Sequence, residues 1–460
     1  MNKKITNSIL AVTLFLLSAC SGFLDIKPYG KTIPKTADEF EALLHNRLND
    51  IDYANSGLLV NTFMDVYDLE AYADNLDASL TDFSSANMPL YIGSSLLSMS
   101  TKYAQLYEII RDCNITIDEL GEGGTDLDKK VLGTAYALRG VSYYKLMIQF
   151  CEPVSKNPSS QLGVPLVYTF DMEERATRAP LSQTISHIES DLKKALSYKV
   201  TDEIYRFTED VVRAYLAKLY FWTGDWGNAI ATSEPLLEKY PLLSGEAYTN
   251  MISARNTRSG NILIRSFLYG NNSKNFDYTT ALLNIQKRPV SKELVELFVE
   301  KEKDIRFALS FNKKRENQKN PLGGVRSDEM CLILAESYAH QGNEEQALRY
   351  LNLLREKRIE DYVPYTTESL PPVNSADIIQ EDAEGKTLTP LVYAILNERR
   401  KEFYMEGDRW FELKRNGRPE FWVAKNGYKW VTQKFMYTYP LPVNDILIID
   451  GLIQNPGYEF

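Results

Sequence analysis

Asp210-Val211-Val212-Arg213-Ala214-Tyr215-Leu216-Ala217-Lys218-Leu219-Tyr220-Phe221-Trp222-Thr223-Gly224-Asp225-Trp226-Gly227-Asn228-Ala229, running on through Leu236 to Pro241, is the stretch whose reading decides the fold. Val212, Tyr215, Leu216, Leu219 and Tyr220 recur at three- and four-residue spacing, which puts them on one face of a helix. Gly224-Asp225 turns the chain, and Ala229 is small enough for a second helix to pack closely on the first. A second copy runs from Met330 to Lys357, with Leu334, Ala335, Tyr338, Gly342, Ala347, Leu351 and Leu354 in the same roles. The helix Leu132 to Phe150, carrying Ala135, Leu138, Tyr143 and Leu146, reads as half of a third unit.

Leu216, Ala217, Tyr220, Gly224, Trp226, Ala229, Leu236 and Pro241 fall at or near the positions of the tetratricopeptide repeat pattern. Trp222 and Trp226 occupy packing positions of that pattern and are expected in the core. The two copies start about 120 residues apart, whereas neighbouring repeats normally follow one another directly. The scaffold is therefore interrupted by insertions. Helix-period segments occur at 102–119, 129–151, 181–197, 208–223, 226–240, 327–341, 343–358 and 388–406, after a first helix near Asp38. The stretches 60–100, 155–180, 242–325, 359–387 and 415–460 are too long to be simple bundle connections, and function is sought there. The expected fold is mainly α: a tetratricopeptide-like helix-pair scaffold with long inserted loops and a few short strands. One such pair of strands is the hairpin suggested by Trp422 and Trp430 flanking Asn426-Gly427.

The beginning of the chain reads as an export signal, residues 1–19. Lys3 and Lys4 supply the positive start, and Ile9 to Leu17 form an apolar stretch broken only by Thr13 and too short to span a bilayer. Leu17-Ser18-Ala19-Cys20 resembles a lipoprotein signal box, after which Cys20 is acylated; an ordinary secretory signal with an incidental cysteine is the alternative. No later segment offers eighteen uninterrupted apolar residues, so the body is expected to be anchored rather than spanning. Pro28, Gly30 and Pro34 mark an extended tether up to about Thr36.

Composition excludes several classes. The 460 residues carry 52 basic and 62 acidic side chains, a net charge of −10, which makes nucleic acid a poor partner. Beyond Cys20 there remain Cys113, Cys151 and Cys331, read as small core residues with a single pair as the alternative. Aromatic content is high, at 29 tyrosines, 19 phenylalanines and 5 tryptophans, enough for a core with a surplus on display.

Several segments together resemble the SusD/RagB family of surface nutrient-binding lipoproteins. They are Phe23-Leu24-Asp25, Ala135-Tyr136-Ala137-Leu138-Arg139-Gly140 with Tyr143-Tyr144, the repeat at 210–241, and Glu329 to Arg355. The most specific is Glu398-Arg399-Arg400-Lys401-Glu402-Phe403-Tyr404-Met405-Glu406-Gly407-Asp408-Arg409-Trp410-Phe411-Glu412-Leu413-Lys414-Arg415. Tyr439-Pro440-Leu441-Pro442 and Gln454-Asn455-Pro456-Gly457-Tyr458 look like the family's closing sequence. The resemblance covers nearly the whole chain after Cys20, as an N-terminal half, 20–245, and a C-terminal half, 246–460. It implies four repeat-like helix pairs with ligand loops on one surface, resting on a SusC-like TonB-dependent transporter of the outer membrane. In that arrangement the lipoprotein faces outside and acts as a lid that delivers oligosaccharide, or in some members peptide. Binding is then the activity, without catalysis or cofactor. Two departures stand out: the segment after Cys20 lacks the acidic run that often marks surface export, and the fourth helix pair is degenerate.

Glu398, Glu402 and Glu406 recur every four residues and superficially match a glycosidase's carboxylate pair. Arg399, Arg400, Lys401 and Arg409 are interleaved, so ion pairs at helical spacing account for the charges and the segment reads as a structural clasp. His45, His187 and His340 lie far apart without metal-site spacing, and there is no Gly-x-Ser-x-Gly elbow. Gly121-Glu122-Gly123-Gly124 lacks the lysine of a phosphate loop and reads as a turn. Asp74, Asp77 and Asp82 lack calcium-loop spacing and its glycine, which leaves a metal there open but unsupported. Sugar recognition needs flat apolar faces beside planar hydrogen-bonding groups. Two regions have that mixture: Tyr67, Tyr72, Asp74, Asn75 and Tyr91 in one, and Tyr269, Asn271, Asn272, Phe276 and Tyr278 in the other. Each reads equally well as buried tyrosines capped by a polar loop. The functions competing with nutrient capture are a repeat scaffold that holds peptides of other envelope proteins and a surface glycosidase.

Overall fold

In a computed structural model the chain is described at residues 34–458, apart from 54, 78–98, 172, 174, 256, 268–271, 287 and 426–427. The signal and Cys20 lie outside the described residues, as do Tyr91, Tyr269 and Asn271. The first part of the described chain forms α1 (Ala37–Tyr53), α2 (Phe63–Tyr72), α3 (Met99–Leu120), α4 (Asp126–Phe150), β1 (Leu162–Pro165), β2 (Arg178–Pro180), α5 (Leu181–Ser197), α6 (Glu209–Thr223) and α7 (Trp226–Lys239). There follow α8 (Gly245–Ser253), β3 (Ile262–Arg265), α9 (Asn272–Gln286), α10 (Lys292–Glu296), α11 (Ile305–Ser310) and β4 (Gly324–Arg326). The last part forms α12 (Ser327–His340), α13 (Glu344–Arg358), α14 (Pro390–Glu402), α15 (Arg409–Arg415), β5 (Phe421–Lys425), β6 (Tyr428–Thr432) and α16 (Val443–Ile448).

Local chemistry explains where the main helices begin and end. Thr125 opens α4 through a capping box in which its hydroxyl accepts from the Asp128 amide at 3.1 Å and the Asp128 carboxylate accepts from the Thr125 amide at 2.8 Å. Gly224 closes α6 at φ +73°, a conformation that a Cβ would strain, and the Asp225 amide then donates back to Tyr220 at 2.9 Å. Every helix expected from periodicity is present; α14 alone stops early, at Glu402, before the turn at 403–407.

The packing is a mainly helical stack. α4 lies between α3 and α5, α6 packs on α5 and pairs with α7, and α12 packs on α7 and pairs with α13. The two repeat units are thus neighbours in space although residues 240–326 separate them in sequence. α12 is enclosed on all sides: Met330, Cys331, Leu332, Ile333, Leu334 and Ala335 are fully buried. The main core draws on both halves of the chain, Leu216 and Leu219 from one and Leu334 and Leu351 from the other. Trp222 and Trp226 belong to that core, and Cys113, Cys151 and Cys331 are free thiols buried in the interior. A second apolar cluster joins α2, α9 and α10 to Tyr404 and Met405.

Strands are few. β1–β2, β3–β4 and β5–β6 are separate two-stranded antiparallel pairs. The β5–β6 hairpin brackets residues 426–427 as expected, with Trp422 opposite Val431 and 56% exposed. Among the described residues no helix is long and apolar enough to cross a membrane.

Candidate ligand-binding face

The acidic repeat on α14 is consumed by structure. Glu402 is fully buried and accepts from Arg326 at 2.8 Å, from Arg358 at 2.9 and 3.0 Å and from Arg306 at 3.2 Å. Glu398 accepts from Arg306, Arg355 and Lys401 at 2.8, 2.8 and 2.7 Å. Glu406 binds Lys319 and Arg326. Burial pushes the Glu398 and Glu402 carboxyls up, but the surrounding cations win and hold both well below the usual carboxylate range. A glycosidase's general acid needs the opposite shift. The clasp reading therefore holds with a changed mechanism: only the Glu398–Lys401 pair is local to α14, and the other partners come from α11, β4, α13 and, for Lys319, the loop before β4.

The two tyrosine-bearing regions converge. α2 packs against α9, and the Tyr67 and Tyr278 rings meet at 6.3 Å between centroids, with Phe63 edge-on to Tyr278 at 5.8 Å. The Tyr278 hydroxyl donates to Asn320 Oδ1 at 2.6 Å, and Asn320 Nδ2 donates to the Ser253 carbonyl at 2.9 Å. The exposed Arg255 lies over the Tyr278 ring, 4.8 Å from its centroid. Arg255, Tyr278 and Asn320 thus present a cation, an aromatic edge and an amide side by side.

The borders of this face are clamped. The Asp77 amide donates to the Pro289 carbonyl at 2.8 Å, Arg288 donates to the Asp77 and Leu76 carbonyls at 3.2 and 3.1 Å, and Arg315 pairs with the Asp77 carboxylate. Lys102, near the start of α3, pairs with Asp65 on α2. Asp77 and Lys102 are thus both fastened to this face.

Not every nominated residue belongs there. Tyr67 is 3% exposed and sits beneath Tyr278; Tyr278 is itself mostly covered. Tyr72 packs its ring against Trp410 at 6.0 Å. Asp74 takes a two-pronged grip from Arg409 at 2.7 and 2.8 Å and an ion pair from Arg400 at 3.1 Å, and Asn75 bridges Arg400 and Glu70 at 2.9 and 2.8 Å. Burial pushes the Asp74 carboxyl up, and the two guanidiniums overcome it and draw it down to about 2. Asp74 and Asn75 are corrected from ligand contacts to struts between the end of α2 and the α14–α15 segment, because their polar atoms are spent on buried arginines and Glu70, and Tyr72 is corrected to a core contact, since its ring is buried against Trp410. Asn272 and Phe276 lie on α9, where the helix but not their side chains is described. Arg255 and Asn320 were missed. Their only sequence signal is membership of the polar stretch between β3 and its neighbours, since neither is aromatic.

The fold defines a class: a repeat scaffold whose insertions meet on one face, where α2 packs against α9. Comparison with known proteins gives the family. A family described as starch-binding and associating with the outer membrane matches residues 22–221, and the SusD family matches residues 267–458. The chain belongs to the SusD/RagB family. A SusD superfamily protein from Bacteroides vulgatus superposes with a TM-score of 0.69 at 20% identity, covering 93% of this chain and 100% of that one. A SusD superfamily protein from Bacteroides thetaiotaomicron gives 0.66 at 19%, covering 92% and 100%. A SusD-like carbohydrate-binding protein from Bacteroides vulgatus gives 0.65 at 19%, covering 91% and 98%. No curated protein matches the chain.

Proposed function

We propose that this protein is a non-catalytic lipoprotein of the outer membrane, held outside by acylated Cys20, that captures oligosaccharide and passes it to a SusC-like TonB-dependent transporter. The observation that carries the reading is the meeting of the two aromatic-rich regions at Tyr67 and Tyr278, beneath an exposed Arg255 and beside Asn320. A sugar ring presents C–H faces to aromatics and hydroxyls to planar donors and acceptors; the exposed Arg255 supplies the planar donor, stacked on a mostly covered Tyr278. Tyr91, Tyr269, Asn271, Asn272 and Phe276 are proposed to complete the contact from the bordering stretches. Membership of a family described as starch-binding and associated with the outer membrane supports saccharide over peptide.

Calorimetry and affinity electrophoresis against a panel of polysaccharides and peptide mixtures test the reading. Saturable binding of at least one glycan, without release of shortened products, is expected. Failure of every glycan together with saturable binding of peptide would replace the ligand class; shortened products would replace the non-catalytic reading.

A further inference from the structure

A largely buried pocket, partly open to solvent, lies where α4, α6, β4, α14 and α15 converge, with about 100 Å³ of space for water-sized groups. A water needs roughly 10–15 Å³ on this measure, so the space admits more than one small group. Its carboxylates are already engaged: Glu329 by Lys218 at 2.5 Å, Glu406 by Arg326 at 3.0 Å, Asp408 by Arg399 at 2.6 Å and Glu412 by Arg409 at 2.7 Å.

Lys145 on α4 is different. Its side chain is 92% buried, its one hydrogen bond goes to Asn61 Oδ1 at 3.1 Å, and among the described residues no carboxylate reaches it as an ion pair. The charged groups facing it are Lys218 on α6 and Lys102 on α3, which repel it, and Asp65 on α2 and Glu329 on α12, which are paired with those same lysines. Burial, then Lys218, pushes its ammonium down to about 7. Arg399 and Arg415 also line the cavity, and each leaves its buried Nη1 without a partner. Both guanidiniums lie over the Phe221 ring, at 5.3 and 4.0 Å, which fixes their planes. The one lining carboxylate oxygen in the same condition is Glu412 Oε1. Unused donors therefore outnumber unused acceptors, and a buried donor left unpaired is costly.

We propose that this cavity binds a small monovalent anion of chloride or formate size, seated against the Lys145 ammonium and taking hydrogen bonds that Arg399 and Arg415 leave unused. The bound anion would tie the repeat helices α4 and α6 to the α14–α15 segment from inside.

The test uses the full chain in detergent, unfolded thermally in sodium chloride, sodium formate or sodium gluconate at one ionic strength, gluconate being too bulky to enter. At pH 6 the midpoint should rise by about 2 °C between 1 and ~100 mM chloride, and by less at pH 9, where Lys145 is neutral. Lys145→Met should fold and lose the chloride response. Equal midpoints in all three salts, or an unchanged response in Lys145→Met, would overturn the proposal. Should that variant not fold, crystals of the unaltered protein grown in bromide decide: an anomalous peak beside Lys145 Nζ is expected, and its absence would be equally decisive against.

Discussion

Arg358 grips Glu402 through the Nε–Nη2 edge of its guanidinium, Nε donating to Oε2 at 3.0 Å and Nη2 to Oε1 at 2.9 Å, and neither side chain reaches solvent. Arg358 ends α13 of the second repeat unit, while Arg306 and Arg326, which bind the same carboxylate, sit in the inserted region. One carboxylate thus fastens the insertion 240–326 to the scaffold. Asp304 on Arg306 and Asp328 on Arg326 and Arg358 offset the remaining positive charge.

Glu402→Gln should therefore be far more damaging than a surface change. It leaves buried guanidiniums short of their shared counter-charge, and breaking a buried ion network from one side costs about 3–5 kcal/mol. Denaturant unfolding followed by circular dichroism measures this. A loss below about 1 kcal/mol, the scale of an exposed pair, would show that the network is dispensable.

Asp74 predicts a pH dependence of definite sign. Its folded value near 2 lies below the ordinary 3.8, so its contribution is complete above about pH 4 and is lost as pH falls through 2. The difference of nearly two pH units corresponds to about 2 kcal/mol. In Asp74→Asn that part of acid destabilisation should be missing, so the stability gap between variant and unaltered protein should narrow between pH 5 and pH 2. Parallel stability profiles would place the acid-sensitive contact elsewhere.

Period and turn chemistry made the scaffold legible, because Val212, Tyr215, Leu219 and Gly224 each state a local requirement that the folded helix pair satisfies. The role of Glu398 and Glu402 was half legible. Their spacing announced ion pairing, but the arginines that answer them, Arg306, Arg326, Arg355 and Arg358, lie 43 to 96 residues away and no local pattern points to them. The same limit governs the ligand face. Tyr67 and Tyr278 were singled out as aromatics in polar company, yet sequence offers no means of telling an aromatic that covers a face from one beneath it. Asp74 and Asn75 look like sugar-binding groups until Arg400 and Arg409 are seen to occupy them.

Burial now separates the variants of the ligand face. Arg255→Ala removes an exposed guanidinium that stacks on Tyr278, and it should weaken glycan binding about tenfold, near 1.4 kcal/mol, with the unfolding midpoint moved by no more than ~2 °C. Tyr67→Ala should instead destabilise the fold by about 3–5 kcal/mol, as truncation of a buried aromatic does. Calorimetry of binding beside thermal unfolding distinguishes them. Arg255→Ala with unchanged affinity would remove this face from the binding site.

Cys20→Ala tests the anchor separately from the ligand. The proposed attachment is through acyl chains on Cys20. Each buried methylene contributes about 0.8 kcal/mol, and one chain alone holds only marginally, whereas two or more hold durably. The variant should fold with an unaltered unfolding midpoint and should leave the membrane fraction. A high-salt wash separates the two ways of staying. Retention after that wash would mean that contact with a membrane partner suffices without lipid; release into the wash would mean that polar contact alone had held it.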